Sequence, residues 1–235
     1  MLINEFIKPI KDKKLRALYQ ILIEHLSFIK NIETMDLLKQ TEKDVLAFLN
    51  GYTNEHKSYK QLRKSFKEYP LIHLKLLYSF IQYKVNYLSN PMIRSLDNYY
   101  KYAHEQSIIG FTLYILNNQP KEHYESIMTL SRIDVCSDLL LNADLYLQKG
   151  LIHFPKQFID DYGISLDLNG YFLKNTAYIQ MYEYLFFKIK QDIEKLNIYL
   201  ELIYPDLKEI FTNYLTQLVH TLTQLRDKYL SKIKS

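Results

Sequence analysis

Residues 131–150 read SRIDVCSDLLLNADLYLQKG, and this stretch decides the fold. Its apolar residues recur at three- and four-residue steps, the period of an amphipathic helix. The pattern runs from about Lys121 to Lys149, and Gly150 is placed to be the residue just past the helix end. Asp134, Asp138 and Asn142 stand at i, i+4 and i+8, so they fall along one face. Inward-facing polar residues are the informative ones in a helical protein. Two carboxylates four residues apart can share a hard cation such as Mg²⁺, which takes oxygen ligands. The same spacing also occurs on solvated faces, so both readings stay open. Asp144 lies off this face and is expected at the surface. Cys136, between Val135 and Ser137, reads as core.

The helical period continues outward in both directions. Leu15, Leu18, Tyr19, Leu22, Leu26 and Ile29 form one stripe. Leu37, Leu38, Val45, Phe48 and Leu49 form the next, stopped by Asn50-Gly51. A weaker polar helix is expected over 54–68. Pro70 then opens an apolar helix to about Leu88, because proline is tolerated in a first turn. Ser89-Asn90-Pro91 breaks it, and Ser95 is placed to cap a helix that ends at Asn117-Asn118-Gln119-Pro120. Asp161-Tyr162-Gly163 reads as a turn. Two last helices are expected over 171–200 and 205–232. The Leu151–Phe154 run is too short for a strand and stops at Pro155. With no internal repeat and no Gly- or Pro-rich linker, residues 1–235 are expected to form one all-α domain.

Composition narrows the function. The 30 basic residues barely outnumber the 26 acidic ones, leaving +4, which does not imply nucleic acid. The 22 Tyr come without Trp and without clustered Arg, so they read as composition of AT-rich coding sequence rather than base-stacking platforms. A single cysteine excludes a disulfide framework and a cysteine zinc site. No apolar run reaches the ~20 residues of a membrane span, and the N-terminus lacks signal-peptide order. A cytoplasmic protein is expected, with Lys11–Lys14 and the terminal KYLSKIKS offering at most peripheral contact with anionic lipid. GxGxxG, GxxxxGK[ST], HExxH and GxSxG are all absent. On Ile21–Glu33, His25, Ile29 and Glu33 are expected to share a face by the same spacing, but a lone His there reads as a hydrogen-bonded structural residue and Glu33, near the helix end, equally as a solvated one.

The exit from the long helix adds a resemblance. Gly150, Ile152, Phe154 and Pro155, followed by Phe158-Ile159-Asp160-Asp161-Tyr162-Gly163-Ile164-Ser165, resemble the squalene/phytoene synthase family. There a helix bearing NxxRDxxxD runs through G-R-x-Y-L-P into x-x-L-x-x-Y-G-V-S. Ser95–His104 looks like the family's S-x-x-E-L-x-x-Y-C-Y helix, with small residues recurring at Ser107 and Gly110. Leu15–Leu22 looks like the helix leading to the first aspartate-rich motif, and Leu202-Ile203-Tyr204-Pro205 fits the start of the last helix. The likeness spans most of the chain, and the 150–165 stretch carries its specificity.

The resemblance implies an isoprenoid-synthase-like helical bundle around a central cavity. It implies prenyl diphosphate held through Mg²⁺ by two aspartate-rich motifs, with head-to-head joining of two chains. Metal would neutralise the departing diphosphate. On that basis Tyr102, Ser107, Asn142 and His153 are the expected substrate-binding positions, and Glu33, Asp134 and Asp138 the expected metal ligands.

The ligand positions depart from the family pattern. Counted back from Pro155, the motif's Asn falls on Asp138, its Arg on Leu141 and its two Asp on Asn142 and Tyr146. In the first motif the paired aspartates fall on Ile29 and Glu33. In the exit stretch Leu151 and His153 replace Arg and Tyr. Glu33 alone keeps a carboxylate in register. Asp134 and Asp138 offer a displaced acidic strip, up to two turns or ~12 Å from the usual place. Three functions follow as expectations. The first is a member of isoprenoid or carotenoid metabolism with weak or lost Mg²⁺ chemistry, acting through lipid or a protein partner. The second is an active prenyl transferase or prenyl diphosphatase using the shifted strip. The third is an assembly or scaffold protein unrelated to isoprenoids.

Overall fold

The computed structural model describes residues 10–52, 57–66, 75–89, 95, 97, 100, 103, 107–116, 123–148, 155–203 and 208–234. Its helices are α1 Lys13–Lys30, α2 Met35–Leu49, α3 Lys57–Phe66, α4 Leu76–Ser89 and α5 Ile108–Leu116. They continue as α6 Tyr124–Gln148, α7 Lys156–Tyr162, α8 Thr176–Ile203 and α9 Lys208–Lys234. Among the described residues the strand-like pairing is a single antiparallel bridge, Leu166 with Phe172. The expected all-α class is therefore what the chain adopts.

Local chemistry sets the helix ends. The Asp12 carboxylate accepts from the backbone N–H groups of Lys14 at 2.8 Å and Leu15 at 3.2 Å, capping α1. Leu18, Leu22, Leu26 and Ile29 of the expected stripe are fully buried. Lys84 of α4 donates to the Lys30 carbonyl at 2.7 Å, satisfying an orphan acceptor where α1 ends. Gly51, at φ +82°, follows α2 in the left-handed conformation that Asn50-Gly51 suggested. Arg63 of α3 donates to the carbonyls of Gly51, at 3.0 Å, and Tyr52, fastening α3 to that turn.

Three expectations need correction. The helix expected from Ser95 to Leu116 is interrupted at Ser107, which is not helical. The Ser107 hydroxyl accepts from the Gly110 N–H at 2.9 Å, so it caps a new helix, α5. Residues 156–162 form a short helix, with Gly163 at φ +63° as its left-handed cap, where a simple turn was expected. The helix expected from Tyr171 starts only at Thr176. Before it, the Asp167 carboxylate accepts from the N–H groups of Asn169 and Tyr171, both at 2.9 Å. That side-chain-centred turn competes successfully with helix. The 150–154 exit stretch and the openings at Pro70 and Pro91 lie outside the described residues.

Packing centres on α6, which touches α5, α8 and α9, while α1 touches α3, α4 and α5. Helix α5 joins the two groups. Gly110 makes this possible, because a Cβ there would overlap Ser131 Oγ and lie 3.1 Å from Ser107 Oγ. Small-residue recurrence at Ser107 and Gly110 thus reflects close approach of α5 to α6. Helix α8 is held to α6 by Arg132, whose guanidinium donates to both Asp192 oxygens at 3.2 and 3.3 Å and to Thr129 Oγ1 at 2.9 Å.

Candidate functional site

The polar strip of α6 meets α1, α5 and α9. Asp138 of α6 is the hub. Its Oδ1 accepts from Asn142 Nδ2 at 2.8 Å, and its Oδ2 accepts from the Tyr146 hydroxyl. Lys30, in the last turn of α1, brings its ammonium to 3.6 Å from the same Oδ2. Asn142 and Tyr146 follow Asp138 at i+4 and i+8, one and about two turns further along α6. At Asn142 the backbone leaves the helical region, with φ −118° and ψ 15°, and α6 bends there. The Lys30 and Asp138 side chains are 33% and 32% exposed, so the ion pair contributes at most about 1 kcal/mol to stability.

Asp134 lies one turn before Asp138. Tyr214 of α9 donates to its Oδ1 at 3.4 Å. Enclosure of the carboxyl pushes its pKa up, against the opposing pull of the Lys30 charge and a Ser107 hydrogen bond, and the nearby Asp138 adds to the rise. The Tyr214 hydroxyl is likewise pushed well up, by burial first and then by the Asp134 charge. Ser107 is fully buried.

The structure therefore brings Ser107, Asp134, Asp138 and Asn142 together. Tyr102 and His153 lie outside the described residues. Glu33 is exposed in the loop after α1 and does not extend a helical face with His25 and Ile29. His25 is buried edge-on against Tyr59, ring centres 4.8 Å apart, and Ile29 is core. Cys136 is core, and burial pushes its thiol up to about 12. Asp144, expected at the surface, is half-exposed and paired with Lys174 at 2.8 Å. Lys174 also stands 4.1 Å from the Tyr178 ring centre. Three contributors escaped the sequence reading. Tyr146 had a local signal, its i+8 spacing from Asp138. Lys30 and Tyr214 come from remote helices and had none.

No family model matches the chain, and no curated protein matches it. Solved structures do. The chain is similar to a dehydrosqualene synthase determined in complex with ligand, at a TM-score of 0.79 and 14% identity over 97% of this chain and 82% of that one. It is also similar to the squalene synthase HpnC of Alicyclobacillus acidocaldarius, at 0.70 and 11% over 97% and 88%. The chain has a squalene/phytoene synthase-like fold. Identities this low carry the architecture and not the activity.

Within this synthase-like fold, Mg²⁺ would require carboxylate oxygens left open to it. Asp138 already receives Asn142, Tyr146 and Lys30, and Asn142 turns its amide nitrogen, not its oxygen, toward the carboxylate. The helix facing the strip supplies an ammonium. Among the described residues no group of three or more His, Cys, Asp or Glu is placed to hold a metal ion. This donor set does not fit Mg²⁺. Among them also, no helix is long and apolar enough to cross a membrane.

Proposed function

We propose that the protein is a squalene/phytoene synthase-like member of isoprenoid metabolism whose metal-dependent diphosphate chemistry is lost or much weakened. It acts by binding an isoprenoid lipid or a protein partner. One observation carries this reading: Asp138, one of the expected metal ligands, is committed to donors from its own chain. Diphosphate departure needs metal or equivalent charge neutralisation, and one ammonium already paired with a carboxylate supplies little of it.

The test is pyrophosphate release from farnesyl diphosphate by the folded protein, with Mg²⁺ or with EDTA. Release no higher than a no-protein control in both conditions is the expected result. A second reading, an active prenyl transferase or diphosphatase, is favoured by one fact. Asp134 and Asp138 share a face that meets α1, the helix that resembles the carrier of the first motif. Mg²⁺-dependent release that disappears in Asp138→Ala would establish that reading and overturn the first.

A further inference from the structure

The loop between α7 and α8 presents leucine to solvent instead of hiding it. Leu166, Leu168 and Leu173 are 51%, 105% and 43% exposed. One exposed leucine is ordinary on a protein surface, whereas several gathered in one short loop mark an interaction site. The loop is firmly built. The Asp167 N–H donates to the Tyr171 carbonyl at 2.7 Å, the Gly170 N–H to the Asp167 carbonyl at 3.0 Å and the Leu173 N–H to the Ser165 carbonyl at 2.9 Å. With the Leu166–Phe172 bridge and the Asp167 side-chain turn, these bonds make a small hairpin. Leu168 stands at its tip, in a turn completed by Gly170 at φ +78°. The base is anchored. Phe172 is buried, and its N–H and the Lys174 ammonium both donate to Asp144 of α6, at 3.4 and 2.8 Å.

The end of α9 lies against this base. The centre of the Tyr229 ring is 5.5 Å from the Lys174 ammonium, and the ring meets that of Tyr178 edge-on at 5.7 Å. One turn beyond Tyr229, Ile233 is 41% exposed, and Lys228 and Lys232 are exposed on the same turns. Residues 228–235 hold three lysines and no acid. Three carboxylates at this corner are engaged: Asp144 by Lys174, Asp227 by Arg226 and Asp167 by its own turn. Two exposed acids, Asp160 and Asp161, precede the loop at the end of α7, so the basic side of the corner is the α9 side. A leucine on a projecting tip needs a matching hole in a protein partner, whereas fluid lipid closes around it. Lysines beside exposed apolar residues match the anionic headgroups above that lipid.

We propose that the Leu166–Leu173 hairpin and the last turns of α9 dock the protein on an anionic membrane surface, with Leu168 inserted and Lys228 and Lys232 at the headgroups. The inference is independent of the isoprenoid reading.

The chain has no Trp, so Leu168→Trp places a single indole at the tip. Vesicles of phosphatidylcholine mixed with phosphatidylserine should shift its emission to the blue, and phosphatidylcholine alone should not. Leu37→Trp, at a leucine of α2 that is 46% exposed, should show no shift with either. In vesicle flotation, Leu168→Ser should bind the anionic vesicles about tenfold more weakly than wild type. Lys228→Gln combined with Lys232→Gln should weaken binding on the order of twentyfold, and added salt should weaken that of wild type. Circular dichroism checks that each variant folds. No flotation of wild type, equal binding to neutral and anionic vesicles, or unchanged affinity in Leu168→Ser would overturn the inference. So would an emission shift at both reporter positions. A concentration-dependent dimer that Leu168→Ser abolishes in sedimentation would assign the hairpin to a second copy of the chain and overturn it as well.

Discussion

Asp134 carries a stability cost that its surroundings only partly offset. Enclosure raises its pKa above the ordinary value of 3.8, and this outweighs the Lys30 charge and the Ser107 and Tyr214 hydrogen bonds. Between 3.8 and the raised folded value the native state holds more protons than the unfolded one, so stability falls as pH rises through that window. Above the window the penalty is fully present. Asp134→Asn keeps the shape and removes the charge. It should raise Tm at pH 7, with the gain fading toward pH 3. Thermal unfolding of both proteins across pH 3–7 checks this, and a lower Tm at every pH would show the carboxylate to be net stabilising. Cys136 makes the opposite case. Its thiol, pushed up to about 12 by burial, should stay unreactive toward a disulfide reagent at pH 8 until the chain unfolds. Its place in the core was legible from its apolar neighbours. The state of Asp138 was not, because Lys30 lies far away in sequence and only the folded bundle brings it close.

Single helices were legible where the apolar stripe was long, as in α1, α2 and α6, and less so where a side chain competed with the backbone. Ser107 shows why. Its sequence neighbours read as continuous helix, yet its hydroxyl accepts from the Gly110 N–H and starts α5. Ser107→Ala should therefore cost about 1 kcal/mol through the lost cap, measured by urea unfolding. A loss of lipid binding without a loss of stability would instead mark Ser107 as a ligand contact. The Arg132–Asp192 clasp between α6 and α8 is a second case. Neither residue stood out in the sequence, since a lone Arg and a lone Asp on separate helices carry no local pattern. In the structure the two side chains are only 19% and 11% exposed. Arg132→Met leaves the Asp192 carboxylate without its guanidinium and should destabilise by about 3 kcal/mol. Arg132→Met combined with Asp192→Leu should recover most of that, because a similar apolar volume needs no partner. Equal losses in the single and double variants would show that packing, not charge, dominates the clasp.

At the scale of the molecule, the seam between α1–α4 and α6–α9 decides whether the chain behaves as one body. Helix α5 packs on both α1 and α6, and the Lys30–Asp138 pair runs from α1 to α6 nearby. The absence of a linker sequence raised the expectation of one domain, but the means of joining was hidden. It depends on a glycine whose importance is the space it leaves rather than any chemistry it carries. In an ordinary helix, replacing Gly by Ala gains about 0.5–1 kcal/mol from reduced backbone entropy. At Gly110 the added methyl meets Ser131 Oγ and, at 3.0 Å, Ser131 Cβ. Rotating the Ser131 hydroxyl away breaks its 2.7 Å bond to the Ile127 carbonyl and still leaves the Cβ contact. Overpacking of this kind typically costs about 1–3 kcal/mol, more than the entropy gain. Gly110→Ala should therefore lower stability, and the sign of the change reports the clash. If the seam makes the chain one cooperative unit, urea unfolding followed by far-ultraviolet circular dichroism and by tyrosine fluorescence should give coincident midpoints. Both should shift together in the variant. Two separated transitions, with only one moved by Gly110→Ala, would mean that the two helix groups fold independently and that the polar cluster lies between bodies rather than within one.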